Sequence, residues 1–543
     1  MTAFTRLDEL EHGAVIDADV AIVGAGAAGI TIARELSRTR LDVVLIESGD
    51  LDLDGATQAL YEGDVVGMPY VPLETCRTRC FGGTTNQWTG WCKPFDPIDL
   101  APHPWLGLKG WPVDHDELLP YYHRAQPVMG LGEYRYDRTL WDRIGQDLHA
   151  FDPDKVTFSF WQHSPGPARF GTLYRADLER AGNVRILLDA NVVNIQADPA
   201  AGRVEHLQLR SLAGREARIR ARFFVLACGG IENARLLLAA NDVRPAGLGN
   251  DHDQVGRCFM EHPLFSVGEI VTDDPYGVVD RYHRRKVDGV LSRIGLSLAP
   301  ATQERLGLAN STVVTVIERD SDGVQSQAAR LWHELWQGRL PDHPTERAYA
   351  ILREFDAVAM SAWRKLVHGT YVNKPPRSIR LGIFLDPLPN PSSRVTLGED
   401  RDALGQPRVR LDWRLLPEDA RGAVGHVQLV AAEMARLGIG RVRLNPALAD
   451  AGGAWMFAGN LEGYDLAPGM PEMHISLHHM GTTRMAARPE DGVVDGNCRL
   501  HGVDNLYLAG SSVFPTGSNG NPTFTIVALG LRLADHLIQR STA

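Results

Sequence analysis

Cysteine is sparse in this 543-residue chain, and what there is lies scattered. The six thiols, at Cys76, Cys80, Cys92, Cys228, Cys258 and Cys498, follow no spacing of a disulfide framework. Cys76, Cys80 and Cys92 find no fourth ligand at finger-like spacing, so no metal site is expected. Lysine is scarce beside arginine: six of the 56 basic residues are Lys, a bias read as codon usage and not as mechanism. The opening stretch, Met1 to Asp19, is polar and acidic and lacks the apolar core of a secretory leader. No apolar run approaches the ~20 residues that cross a bilayer. Internal repeats, low-complexity linkers and the Gly-x-Ser-x-Gly elbow of serine hydrolases are also missing. The net charge of -11 argues against nucleic acid as a partner and permits a cationic substrate. These absences lead to the expectation of a cytoplasmic protein with reduced thiols and no membrane partner.

At this length two domains are expected, contiguous or interleaved. The most informative stretch comes early. Val20, Ile22 and Val23 form a short β-branched run of the kind found in a buried parallel strand. Gly24, Gly26 and Gly29 follow in a Gly-x-Gly-x-x-Gly spacing. The first suits a tight turn, the second a backbone that approaches a pyrophosphate, the third a helix packed closely on the strand. That helix is predicted over Ile30 to Ser37, with its positive end toward the phosphates. A second buried strand, Val43 to Ile46, ends at Glu47, whose carboxylate would accept from ribose hydroxyls and repel a 2′-phosphate. Strand, glycines, helix and acid together make a dinucleotide fingerprint, for NAD or FAD. Its place near the start, with a long polypeptide before the chain returns to the same site, favours FAD.

Farther on, Gly82 and Gly83 precede Thr84, Thr85 and Asn86, a backbone able to lie flat against a planar ligand or to turn under Trp88. Glu117 to Met129 reads as a helix interrupted by prolines. Val184 to Ala197 and Ala217 to Leu226 read as strands, the last delivering Gly229 and Gly230 into a helix over Ile231 to Ala240. Residues 265–320 alternate as strands of a second sheet, and the basic run Tyr282 to Lys286 reads as a solvated turn. Residues 328–370 have helical spacing, as one or two helices packed on that sheet or as a wall over a pocket. Ser393 to Leu397 and Val409 to Trp413 suggest two strands around a turn at Gly405, and Pro417 to Leu437 a helix.

The last informative block holds His474, His478 and His479, followed by Gly481 and Thr482. No zincin glutamate and no carboxylate cluster accompanies them, so a general base fits better than a metal. Asn505 to Ala509 is a buried-strand candidate ending in Gly510. Asn521, Pro522 and Thr523 open a helix over Ile526 to Leu537, where free amides could hold the polar edge of a ligand.

The early fingerprint, the Gly82–Gly83 segment, the segment Gly256 to Pro263 with its Glu261-His262 pair, and this last block, in this order, resemble the glucose–methanol–choline (GMC) oxidoreductase family of flavoenzymes, nearest to its bacterial sugar-oxidising, pyranose oxidase-like branch. The resemblance spans nearly the whole chain. It implies an α/β fold, α+β overall: a Rossmann-like FAD-binding domain of residues 1–93, 181–262 and 475–543, with an inserted substrate-binding domain of antiparallel sheet and helices from 94–180 and 263–474. The family's His-x-x-Gly-Thr pattern falls on His478, its second catalytic position on Asn521; His479 is the alternative base if the loop shifts by one. The implied cofactor-binding positions are Gly24, Gly26, Gly29, Glu47, Gly83, Asn86, Thr89, Val193 through its backbone, Gly510 and Thr523. Some members attach FAD covalently through a histidine at the position of Gln87, so FAD is expected to be noncovalent here. The chemistry suits the residue types: a neutral imidazole, with an ordinary pKa of about 6.5, takes the alcohol proton while hydride leaves carbon. Asparagine steadies the developing alkoxide. The expected activity is oxidation of a hydroxyl on a sugar-like small molecule, narrowed either to the 6′-hydroxymethyl of an aminoglycoside or to formation of 3-keto glycosides, with oxygen or another electron acceptor. Alternatives of another class are a hydroxynitrile-lyase-like enzyme and a non-catalytic flavoprotein.

Overall fold

A computed structural model describes residues 3–143, 147–166, 168–317, 378–450, 453, 456 and 473–542. The helices expected over 328–370 lie outside the described residues.

Two large sheets dominate, and the segments that build them alternate along the chain. In the first, Phe4–Arg6, Val184–Leu188, Val43–Ile46, Ala14–Val23 and Glu216–Leu226 run parallel in that spatial order. Glu216–Leu226 then serves two partners. Its first half pairs antiparallel with Val204–Arg210, which pairs with Asn191–Ala197; its last residues pair parallel with Leu506–Leu508. The runs Val20 to Val23, Val43 to Ile46 and Phe224 to Leu226 are buried, because helices cover them. Helix Ala27–Leu36 packs against the long C-terminal helix Pro522–Thr542, where Gly530 passes Thr31 closely enough that a Cβ would lie 3.5 Å from it.

Val23, Leu226 and Leu508 are in register on three adjacent parallel strands. The chain segments leaving these strands, at Gly24, Ala227 to Gly230 and Gly510, therefore gather at one sheet edge. A crevice beyond the carboxyl ends of parallel strands is where such sheets hold ligands.

The second sheet is antiparallel, ordered Arg441–Leu444, Pro263–Val271, Ile379–Phe384, Thr312–Ile317, Val290–Leu298, Val156–His163 and Trp91–Cys92, with Arg285–Val287 and Met473–Ile475 attached. Opposed pairs put Phe384, Thr312 and Ser297 on one face. That face meets the crevice, since the Phe384 ring lies 4.9 Å from His262 and 6.1 Å from His478. A small sheet of Arg394–Arg401, Pro407–Trp413 and Gly63–Gly67 flanks both.

Several elements depart from their sequence reading. The proline-rich helix is continuous over His115–Val128 despite Pro120 and Pro127. The Asp114 side chain caps Glu117 N–H, and Leu118, Tyr122 and Ala125 bury against the C-terminal helix, which outweighs the missing amides. The Tyr282 to Lys286 run is not a solvated turn. Tyr282 ends a helix, Arg285 begins a strand, and Arg285 is 2% exposed with Nη1 donating to the Asp280 carbonyl. The last helix begins at Pro522, four residues earlier than Ile526, because proline is preorganised for a first turn.

Candidate active site

The glycine turn is built for close approach. Gly24 has φ 99°, and a Cβ there would lie 2.7 Å from the Ala227 carbonyl oxygen. A Cβ on Gly29 would come within 1.9 Å of the Gly24 carbonyl oxygen, so the helix sits directly on the turn. Gly26 is different: a Cβ there meets nothing within 4 Å. Its open side faces a long cavity, as does the start of a helix that no side chain caps. An open helix start of this kind can hold a phosphate-bearing ligand. Glu47 lines the same cavity; its Oε2 accepts from Ala25 N–H at 2.9 Å and its Oε1 from Gly49 N–H at 3.1 Å. Burial pushes its pKa up, and those amides oppose the rise.

Gly24, Gly26, Glu47, Gly83, Thr89, Gly510 and Thr523 all line this cavity, together with Gln87, His478 and Asn521. Three expected cofactor positions do not. Gly29 packs beneath the turn. Asn86 turns inward, its Nδ2 donating to the Phe81 carbonyl at 3.0 Å and reaching Cys80 Sγ at 3.2 Å. Val193 packs with Leu60 and Leu404, while its neighbours Asn191 and Val192 face the cavity.

A buried ion cluster that the sequence reading did not single out also borders the cavity. Glu232 pairs with Arg235 at 2.6 Å, Arg77 at 2.9 Å and Arg79 at 3.2 Å, and the last two guanidinia lie over the Tyr61 ring at 3.9 and 4.3 Å. Burial would raise the Glu232 pKa, yet Arg235, Arg77 and Arg79 hold it at about 2. Three cations on one anion leave surplus positive charge on the cavity wall, which suits an anionic ligand. The available signal was the close spacing of Arg77 with Arg79 and of Glu232 with Arg235.

His478 and Asn521, far apart in sequence, meet here: Asn521 Nδ2 is 3.3 Å from His478 Nε2. Each sits on a loop holding a non-glycine residue in left-handed backbone, Leu477 at φ 60° and Ser518 at φ 85°. Such strain persists only where surroundings impose it. The other nitrogen, His478 Nδ1, is 2.9 Å from His262 Nδ1. Beneath them the buried Glu261 carboxylate accepts from the backbone N–H of His478 at 2.8 and 2.9 Å, the backbone N–H of His262 at 2.8 Å and the Tyr70 hydroxyl at 2.6 Å. Burial raises Glu261 to about 7, and burial lowers His478 and His479 to about 3, so both rings are neutral near pH 7. His479 is turned elsewhere, with Nε2 against the Tyr70 hydroxyl at 2.8 Å and its ring beside Phe259. Among the described residues no metal-binding group of His, Cys, Asp and Glu exists.

Residues 389–530 match the family described as GMC oxidoreductase, and residues 19–247 match FAD dependent oxidoreductase. The C-glycoside 3-oxidase of Microbacterium trichothecenolyticum is 30% identical over 93% of this chain and 81% of its own. The chain belongs to the GMC oxidoreductase family. Paromamine 6′-oxidase of Streptomyces fradiae is 25% identical over 97% of this GMC oxidoreductase and 93% of its own chain. Pyridoxine 4-oxidase, a solved structure, superimposes with a TM-score of 0.56 at 18% identity, over 95% of this chain and 98% of that one. This GMC oxidoreductase is an FAD-dependent alcohol oxidoreductase with a Rossmann-like fold, as the sequence motifs implied.

Proposed function

We propose that this GMC oxidoreductase oxidises a hydroxyl of a sugar-like substrate, with His478 as the base and Asn521 as the group that orients the reacting oxygen. The observation that carries the proposal is the 3.3 Å contact of Asn521 Nδ2 with His478 Nε2 on the cavity wall. Bound FAD supplies the hydride acceptor, at flavin N5. A substrate hydroxyl that replaces the Asn521 contact gives its proton to the neutral His478 imidazole, and the Asn521 amide then donates to the oxygen as its charge grows. Gly26 leaves room for the pyrophosphate and Glu47 addresses the ribose. Gln87, an amide with little nucleophilicity, favours noncovalent FAD. The same reading assigns residues 1–93, 181–262 and 475–543 to the FAD side and 94–180 and 263–474 to the substrate side.

Two narrower substrates are supported by different observations. The relative named for paromamine and the net charge of -11 favour an aminoglycoside oxidised at its 6′-hydroxymethyl. The relative named for C-glycosides and one local feature favour an uncharged glycoside oxidised to a 3-keto sugar. That feature is Arg293, whose guanidinium lies 5.0 Å over Trp91, a cavity residue, and 4.8 Å over Trp161. It forms no ion pair with a carboxylate among the described residues, and burial lowers its pKa only to about 10. A polycation entering beside it meets like charge, so the neutral glycoside is the better fit. Anaerobic titration of the yellow holoenzyme with sugars, aminoglycosides and simple alcohols, followed by air, tests this. Bleaching by neutral glycosides is expected. A chromophore inert to every alcohol would return the hydroxynitrile-lyase-like or non-catalytic reading.

A further inference from the structure

Two neutral imidazoles that meet through their Nδ1 atoms have one proton at the contact. His262 and His478 meet in this way, at 2.9 Å with their rings 88° apart. Burial keeps both rings neutral near pH 7. Two arrangements follow. Either His478 donates from Nδ1 and its Nε2 carries a bare lone pair, or His262 donates and His478 Nε2 holds a proton and accepts nothing from an alcohol.

The outer end at His478 selects the first arrangement. On the His478 side, the Asn521 amide nitrogen approaches Nε2, and an N–H there needs a lone pair to receive it. On the His262 side, Nε2 is buried and finds no hydrogen-bond partner among the described residues. The contact is also fixed from the main chain, because Glu261 holds the backbone N–H groups of both histidines. His262 is 0% exposed and is far from His478 in sequence, so the pairing is a product of the fold.

We infer that His262 is a positioning residue that accepts the Nδ1 proton of His478 and so keeps the His478 Nε2 lone pair directed at Asn521 and the substrate hydroxyl. The inference rests on His478 being the base. When the substrate O–H gives its proton to Nε2, the O–H electron pair stays on oxygen and the ring becomes an imidazolium. Its Nδ1–H donation to His262 then becomes charge-assisted and shortens. A carboxylate in the place of His262 would orient the ring equally well and also make it a stronger base. A neutral imidazole orients it without adding charge.

The test uses FAD-loaded wild type, His262→Phe, His262→Gln and His478→Ala, with histidine labelled by nitrogen-15. In wild type, His478 Nε2 should resonate as a bare nitrogen. In His262→Phe the two tautomers should mix, and the limiting rate of anaerobic flavin reduction should fall by about 10²-fold with the half-saturating substrate concentration little changed. In His262→Gln the side-chain carbonyl can accept the Nδ1 proton, so the bare Nε2 signal and most of the rate should return. A His262→Phe enzyme with wild-type tautomer and rate overturns the inference. So does His262→Gln with a protonated Nε2, which decides the matter if the Phe variant does not retain FAD. Wild-type reduction by His478→Ala would instead remove the reading of His478 as base, whatever the His262 variants do.

Discussion

Asp99 and Asp386 hold one serine between them: Ser518 Oγ donates to Asp99 at 2.5 Å, and Ser518 N–H donates to Asp386 at 2.7 Å. Ser518 is the left-handed residue on the loop that presents Asn521, so two buried carboxylates brace a strained segment of the site. Burial raises Asp99 to about 6 and Asp386 to about 8, with Asp96 and Asp99 respectively adding like charge. The pair therefore carries a proton near neutral pH.

A stability consequence follows from the sign of the Asp386 shift. Its folded pKa lies above the ordinary 3.8, so its contribution is fully present below that value and is lost as pH rises through about 8. Asp386→Asn mimics the protonated form. Its melting temperature should gain on wild type as pH goes from about 6 to about 9, the gap widening by roughly 1 °C for each ~1 kcal/mol in a chain of this length. A gap that does not change with pH would contradict a protonated Asp386.

Gly26 and Gly29 should fail in different ways. Gly29→Ala drives a Cβ into the Gly24 carbonyl and should lower the yield of folded protein. Gly26→Val has open space around its side chain, so it should fold with a near-normal melting curve and yet purify colourless. A yellow Gly26→Val enzyme would place the pyrophosphate elsewhere.

The adjacent histidines separate by direction. His478→Ala should lose about 10²–10⁴-fold in flavin reduction while retaining FAD, the usual worth of a general base. His479→Phe, which breaks the contact with Tyr70 and not the one with Asn521, should stay within about tenfold of wild type. Stopped-flow absorbance measures both, and the reverse order would move the base to His479.

Glu261 predicts a pH step. Above about 7 it is ionised beside the two histidine backbones and stabilises positive charge on His478; below that it is neutral. The limiting reduction rate should fall by about tenfold as pH drops through this range, the scale of one nearby charge in a partly screened interior. Glu261→Gln should sit on the lower plateau at every pH. A step that survives in that variant belongs to another group.

The sequence made legible what local spacing encodes. Gly24, Gly26 and Glu47 lie within one strand–helix–strand unit, where the distance between residues is set by the elements themselves. His478 and Asn521 were found through motifs on separate segments, and the fold brings them together. Residues whose meaning depends on distant partners were not legible. His262 and Glu261 were visible as a dipeptide, but their purpose comes from His478, and that of Asp386 comes from Ser518 and Asp99. Asn86 was expected to face the cofactor because family position does not say which way a side chain turns; at Val193 the expectation concerned the backbone alone. Arg285 looked solvated because charge alone says nothing of a carbonyl waiting in the interior.

The strand Leu506–Leu508 and the loop after it have an effect on how the protein must be made. Gly24 and Glu47 leave the ribosome early, whereas Gly510, Asn521 and Thr523, which form the facing part of the cavity, emerge late. Until then the nascent chain has one side of a clasp and nothing to close it. On the proposed function, loading with the nucleotide is a late event in biogenesis, and prematurely terminated chains should be released empty and open to proteolysis.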